Sequence, residues 1–235
     1  MLYLSYSKTK DLENKNLFYK KHILKEIPWK TSDAMLLGSW IDALLTNPEE
    51  AEKYIKQKPK DKNNNYSLTV GMYDKGIIIA NKVIASEYYK DLYKFEKQKT
   101  LIYEKQFGIF KGIKGILDFL YVEGDTATII DLKTCADSSP DKFKWNILNF
   151  NYYLQMAIYG FLVKKNYPDV CSIKYRILAC QTSGECPLNA YELDEDKIKA
   201  ELSYFLSVIE EQKKFTIDDF KKEPEKKGWD TAKTL

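Results

Sequence analysis

Apolar positions recur at helical spacing through the first third of the chain, then alternate from about residue 99. Ser7 is a candidate cap for a helix over Lys8 to Leu24, and Pro28 ends that unit. "TSDAMLLGSWIDALL" opens on cap residues and keeps helical spacing from Ala34 to Leu45, and Pro48 opens the next helix. "KPKDKNNNYS" is polar throughout and predicts a mobile solvated loop. From Leu68 to about Lys97 the period is helical again, with Gly71 a candidate break. "TLIYEKQFGIFKGIKGILDFLYV" then alternates and is rich in Ile, Leu, Phe and Tyr, which predicts strands. "FKWNILNFNYYLQMAIYGFLVKK" predicts one long amphipathic helix. "SIKYRILACQ" and "LNAYELD" predict two more strands, and "DEDKIKAELSYFLSVIEEQKKF" a last helix before a charged tail after Phe220. The order is a mixed α/β domain with a helical front end. It divides into a mainly helical part over 1–98, a sheet-and-helix part over 99–195, and a last helix and tail over 196–235.

Within this pattern, "KGILDFLYVEGDTATIIDLKT" breaks its own rule. It predicts two apolar strands joined by a Gly-Asp type II′ turn, yet it carries Asp118, Asp131 and Lys133 inside them. Period-two alternation puts Ile116, Asp118, Leu120 and Val122 on one face, and Ala127, Ile129, Asp131 and Lys133 on one face. The turn pairs Val122 with Ala127 and Leu120 with Ile129, so Asp118 meets Asp131. Directly opposed like charges destabilise a sheet, and an apolar setting adds a desolvation cost of several kcal/mol. A divalent cation between the carboxylates removes the objection. Hard oxygen ligands suit Mg²⁺ or Mn²⁺. The ordinary alternative is an edge strand with Lys133 in a salt bridge.

The chain has 235 residues, 44% of them hydrophobic, and a net charge of +3, so a basic groove for nucleic acid would have to be local. Cys135, Cys171, Cys180 and Cys186 form no C-x-x-C pair, which argues against zinc or iron–sulfur binding and for reduced thiols. His22 is the only histidine, so triad chemistry would rest on it alone. The Met1 end has no signal-peptide core and no apolar run is long enough to span a membrane, so a cytoplasmic location is expected.

Asp118 followed by Asp131-Leu132-Lys133 resembles the PD-(D/E)XK nuclease signature. Gln155 and Tyr159 in "QMAIY" resemble the Q-x-x-x-Y motif of its RecB-like branch. "LSYSKTKDLENKNLFYKKHIL" resembles that branch's opening helix. "LLGSWIDALL" resembles its G-x-x-x-H-A-L helix, with Asp42 where the family has a metal-binding histidine. The likeness runs from Leu4 to about Phe161 and is nearest to RecE-type exodeoxyribonucleases and, more loosely, lambda exonuclease. It implies a restriction-endonuclease-like core, a mixed central sheet flanked by helices, with a helical N-terminal extension. It also implies Mg²⁺- or Mn²⁺-dependent hydrolysis of DNA. Asp118, Asp131 and the Leu132 carbonyl would hold the metal, with Asp42 and Glu104 as further candidate ligands. Lys133 would act on the water or the phosphate, and Gln155 and Tyr159 would position the DNA. The implied partners are double-stranded DNA ends, a single-strand annealing protein and further copies of the chain in a ring. The same fold also serves nicking or structure-specific endonucleases and DNA-binding proteins that do not cut.

Overall fold

The computed structural model describes residues 2–28, 31–57, 64 and 66–222; most of the predicted polar loop and the charged tail from residue 223 lie outside them. The chain opens with β1 (Leu2–Leu4), α1 (Tyr6–Thr9), α2 (Lys15–Phe18) and a π-helical turn (Tyr19–Ile23). The single helix predicted over Lys8 to Leu24 is therefore two short helices. Ser5 rather than Ser7 stands at the first cap position, and the Asn14 side chain accepts from Leu17 N to start the second helix.

Next come α3 (Asp33–Thr46), α4 (Pro48–Ala51), β2 (Ile55–Gln57), β3 (Ser67–Thr69) and α5 (Val70–Ala85). The Thr69 side chain caps α5, so Gly71 lies in its first turn and does not break it. The helix predicted to reach Lys97 stops at Ala85. Two 3₁₀ turns, Glu87–Tyr89 and Leu92–Lys94, lead into β4 (Glu96–Tyr103).

The remaining elements are β5 (Phe110–Glu123), β6 (Thr126–Cys135), α6 (Pro140–Asn149), α7 (Tyr152–Asn166), β7 (Ser172–Gln181), β8 (Leu188–Glu192), α8 (Glu195–Gln212) and α9 (Ile217–Lys221). The long helix predicted from Phe143 to Lys165 is broken at Phe150 and Asn151. Asn151 takes a left-handed conformation (φ 51°) and caps α7 with its side chain.

Six strands form one mixed sheet. β4 and β6 run antiparallel to β5, β7 runs parallel to β6, β8 antiparallel to β7, and β1 parallel to β5. Ile113 of β5 pairs with both Leu4 and Tyr103, while Leu120 pairs with both Glu96 and Ile129. A strand residue has only two edges, so β1 and β6 share one edge of β5 at different heights. β6 leaves that edge after Phe119↔Ile130, and β1 takes it up at Ile113. The sheet therefore forks between residues 113 and 119.

Helix α7 covers one face and α3 with α5 the other. Ile129, Leu117, Leu120, Leu162 and Phe205 belong to the first core; Phe119, Ile130, Leu132, Trp40 and Ile79 belong to the second. Leu117 and Leu120 share a core although Phe119 faces the opposite one, so alternation slips at Asp118. Gln98, opposite Asp118 on β4, has φ 49°, and both residues are missing from the ladder that flanks them. This kink corrects the predicted face: Leu117 takes the core position, and Ile116 is left exposed.

Two glycines of α5 separate packing from backbone freedom. A Cβ on Gly76 would lie 2.2 Å from Cδ1 of the buried Trp40 ring, whereas one on Gly71 meets nothing within 4 Å. In urea denaturation Gly76→Ala is expected to destabilise the fold by about 1–3 kcal/mol. Gly71→Ala is expected to stabilise it by about 0.5–1 kcal/mol through helix propensity. Equal effects of the two would mean that α3 and α5 do not meet through Trp40.

Candidate active site

The hairpin forms as counted from its sequence. Gly124 has φ 58° while Asp125 is not left-handed, as a type II′ turn requires, and Val122 pairs with Ala127 and Leu120 with Ile129. The ladder opens before the Asp118 and Asp131 pair is reached. The Asp118 carboxylate instead accepts the Leu132 amide hydrogen at 2.8 Å, bridging the mouth of the fork with a side chain. The two acids thus sit where β5 and β6 part.

Asp131 is 2% exposed. Its Oδ1 accepts from Gln155 Nε2 at 2.9 Å. Its Oδ2 stands 2.5 Å from the Lys133 ammonium, so one oxygen is held by an amide and the other by a charge. Asp42 joins from α3. A Cβ on Gly38 would lie 2.7 Å from Thr134 Oγ1 of β6, so the glycine lets α3 approach the strand, and Asp42 follows one turn later.

Asp118, Asp131 and Asp42 lie close enough in the cleft for their charges to act on the first and the last. Burial raises the Asp118 carboxyl well above its ordinary range, and Asp131 and Asp42 push the same way against Lys133 and the Leu132 amide. Burial and the Asp131 charge bring Asp42 up to about 6, opposed by Thr46, Lys133 and Gln98. For Lys133 burial acts downward, but the Asp131 and Asp118 charges outweigh it and hold the ammonium protonated above its usual range. Burial also raises the Tyr159 phenol, with Asp131 and Asp118 adding to it.

Gln98 is a residue the sequence pattern did not single out. Its amide nitrogen lies 3.3 and 3.2 Å from the two Asp42 oxygens, 3.0 Å from Thr46 Oγ1 and 3.4 Å from Asp118 Oδ1. Its left-handed backbone is the one available signal, and that is visible only in three dimensions. Tyr6, Lys10, Phe150 and Tyr152 also line the cleft of about 650 Å³.

Glu104 does not join the cluster. It is exposed just after β4 and accepts from Tyr3 Oη at 2.9 Å; six residues of strand, about 20 Å, separate it from Gln98. Gln155 and Tyr159, expected to position the DNA, are bonded toward Asp131, with Gln155 also at the cleft wall. Both are buried, and Gln155 Nε2 donates to Tyr159 Oη at 2.9 Å as well as to Asp131, so the pair holds the carboxylate from behind. Their place on the sheet-facing side of α7 decides this. Leu132 lines the cleft between the two acids. His22 bonds Asp11 at 2.6 Å and stands apart from the carboxylates.

The donor set fits a hard divalent cation: carboxylates of like charge gathered in one cleft, with Asp118 and Asp42 pushed above their ordinary range by burial and by neighbouring carboxylates. Among the described residues no three His, Cys, Asp or Glu side chains yet converge on a common point. The Gln98 amide and the Lys133 ammonium occupy the space between them.

The raised Asp42 value fixes a pH dependence. Folding favours its protonated form, so that stabilisation is complete below pH 3.8 and is lost as pH rises to about 6. In EDTA, Asp42→Asn should match the wild type near pH 4 and exceed it at pH 7 by about 2–3 kcal/mol. Urea titrations at both pH values measure this, and a constant difference between the two proteins would remove Asp42 from the charged cluster.

Comparison with known proteins agrees with this fold. The sequence profile of a family described as a PDDEXK-like domain of unknown function, DUF3799, matches residues 5–227. The crystal structure of a "putative exonuclease" from Eubacterium rectale superposes with TM-score 0.71 at 17% identity, over 99% of this chain and 88% of that one. At that identity the likeness is one of fold, and the fold is the restriction-endonuclease-like mixed sheet flanked by helices. A second crystal structure, SSO0001, aligns with TM-score 0.35 at 14% identity over 80% of this chain and 83% of its own, which carries no argument. No curated protein matches the chain. With the family profile spanning nearly its full length, the chain belongs to the PDDEXK-like family DUF3799.

Proposed function

We propose that this chain is a divalent-metal-dependent deoxyribonuclease that hydrolyses phosphodiester bonds from the ends of double-stranded DNA. The observation that carries this reading is the fork: Asp118 and Asp131 meet Asp42 at an open cleft, with the Lys133 ammonium 2.5 Å from Asp131 Oδ2. A structural ion pair does not need two further carboxylates gathered beside it in one cleft.

Asp118 and Asp131 would hold Mg²⁺ or Mn²⁺, with Asp42 and the Leu132 carbonyl on the cleft wall beside them. When bound, the ion would polarise the phosphate, lower the pKa of a coordinated water and stabilise the leaving oxygen. Gln155 fixes Asp131, and Tyr159 fixes Gln155, so the carboxylate meets the ion already oriented. Lys133 is held as an ammonium by its acidic neighbours, which suits it to orient an attacking water and to stabilise negative charge on the phosphate rather than to remove a proton.

Action at duplex ends, a role in phage-type recombination with a single-strand annealing protein, and a ring of several copies are the finer parts of this reading. They rest on the motif resemblance of Leu4 to Phe161. The exonuclease name belongs to the E. rectale protein, and it is consistent with this choice. None of the described helices is long and apolar enough to cross a membrane.

Incubation with Mg²⁺ should degrade linear DNA and leave covalently closed circles intact. Opening of circles would reassign the site to an endonuclease; survival of both with DNA still bound would leave a binding protein. Lys133→Ala should keep metal and DNA affinity while lowering the single-turnover rate by about 10²-fold or more. Lys133→Arg should recover only part of it, because the guanidinium is a planar fork rather than a point charge. A wild-type rate at saturating DNA would reduce Lys133 to a phosphate contact.

A further inference from the structure

The segment between α6 and α7 holds an aromatic ring out into the cleft. Phe150 is 51% exposed, and on the solvent side of α6 Trp145 and Leu148 are 57% and 53% exposed. Single exposed apolar residues are ordinary, but three large ones within six positions beside a charged cleft are not.

The backbone under Phe150 is fixed. Its N–H donates to Asn146 O at 3.0 Å, and its carbonyl accepts from Tyr6 Oη and from Lys10 Nζ. The next residue, Asn151, is locked left-handed and caps α7. The ring itself stacks on Tyr152 at 5.7 Å and 22° between planes. Lys133 Nζ lies 5.0 Å over the other aromatic of this pair, Tyr152. The Phe150 ring is therefore no farther from the ammonium than those two steps together, roughly three nucleotide rises along a DNA strand.

Cations accompany these rings. Lys10 Nζ lies 4.2 Å over Tyr6, and Lys144 Nζ 6.0 Å over Trp145. An exposed ring with a lysine at its own carbonyl, lining the proposed phosphodiester-cleaving cleft, matches single-stranded nucleic acid: the ring takes a base face and the lysine a phosphate. Inside a duplex the base faces are covered by neighbouring pairs, and only the terminal pair leaves one face open.

We propose that Phe150 is a base-stacking platform, so that the strand entering the cleft presents an unpaired nucleotide there and the preferred substrate is a DNA end that is frayed or single-stranded. This inference rests on the nuclease reading of the cleft and names its substrate more narrowly.

Binding measured with Ca²⁺ in place of Mg²⁺ tests it, using short duplexes with either fully paired ends or terminal mismatches, and 2-aminopurine as the terminal base. The wild type should prefer the mismatched end and keep the probe quenched. Phe150→Ala should lose about tenfold or more of that affinity and release the quenching, with little change for the paired end. Phe150→Trp should restore both, and Phe150→Leu, which keeps apolar bulk without a ring, should not. The ring is half exposed, so thermal melting should show all three variants folded. Wild-type binding and quenching in Phe150→Ala, or full recovery in Phe150→Leu, would overturn the platform and leave the nuclease reading standing. A wild type that neither binds nor cuts any DNA would overturn the nuclease reading itself. Self-association in sedimentation that disappears in Phe150→Ala would assign the face to a second copy of the chain and overturn the platform.

Discussion

The Asp118 carboxylate accepts the Leu132 amide hydrogen across the point where two strands separate, and the rest of the site depends on that bond. In an unbroken antiparallel ladder the two aspartates would face each other within about 5 Å, on an apolar surface. The sheet avoids this by forking. β6 continues beside β7, while the short β1 takes over the vacated edge of β5. The fork keeps backbone groups paired on both sides of an opening and leaves two carboxylates at its mouth.

Each face of the sheet then contributes one helix to the opening. On one side Gly38 allows α3 to lie close against Thr134, which brings Asp42 over the fork. On the other, α7 is buried along most of its length, and its polar pair, Gln155 and Tyr159, has only Asp131 to serve. A buried amide must find partners, so the same bonds that satisfy Gln155 also fix the orientation of the carboxylate. Stability and site geometry are joined here: the cost of three neighbouring acids is carried by the two cores on either side.

Four described non-glycine residues have positive φ, and two of them, Lys25 and Cys186, do not line the cleft. Of the non-glycine residues with positive φ, Gln98 sits inside the cluster and Asn151 at its rim. Gln98 interrupts β4 opposite Asp118 and spreads one amide over three acceptor groups. Asn151 ends α6 and begins α7, which turns Phe150 outward. Left-handed conformations cost free energy in residues with a Cβ, and they persist where surrounding contacts over-determine them.

Much of this was legible in the order of residues. Alternation and a Gly-Asp turn gave the hairpin and its register, and two aspartates and a lysine inside apolar strands marked the site, because local periodicity and charge are properties of neighbours in sequence. Gly38 and Asp42 were legible as one helix face for the same reason. The fork was not, since β1 and β5 are a hundred residues apart and no local pattern tells which strand edge is free. Gln98 looked like any polar strand residue, and Glu104 was a candidate ligand, until the pairing of β4 with β5 placed one opposite Asp118 and the other beyond the strand. Gln155 and Tyr159 carried a motif, but whether they turn toward DNA or toward Asp131 depends on which side of α7 meets the sheet. Sequence set the chemistry available at the site. Tertiary pairing decided which groups share a cleft, because that depends on contacts between strands and helices far apart in the chain.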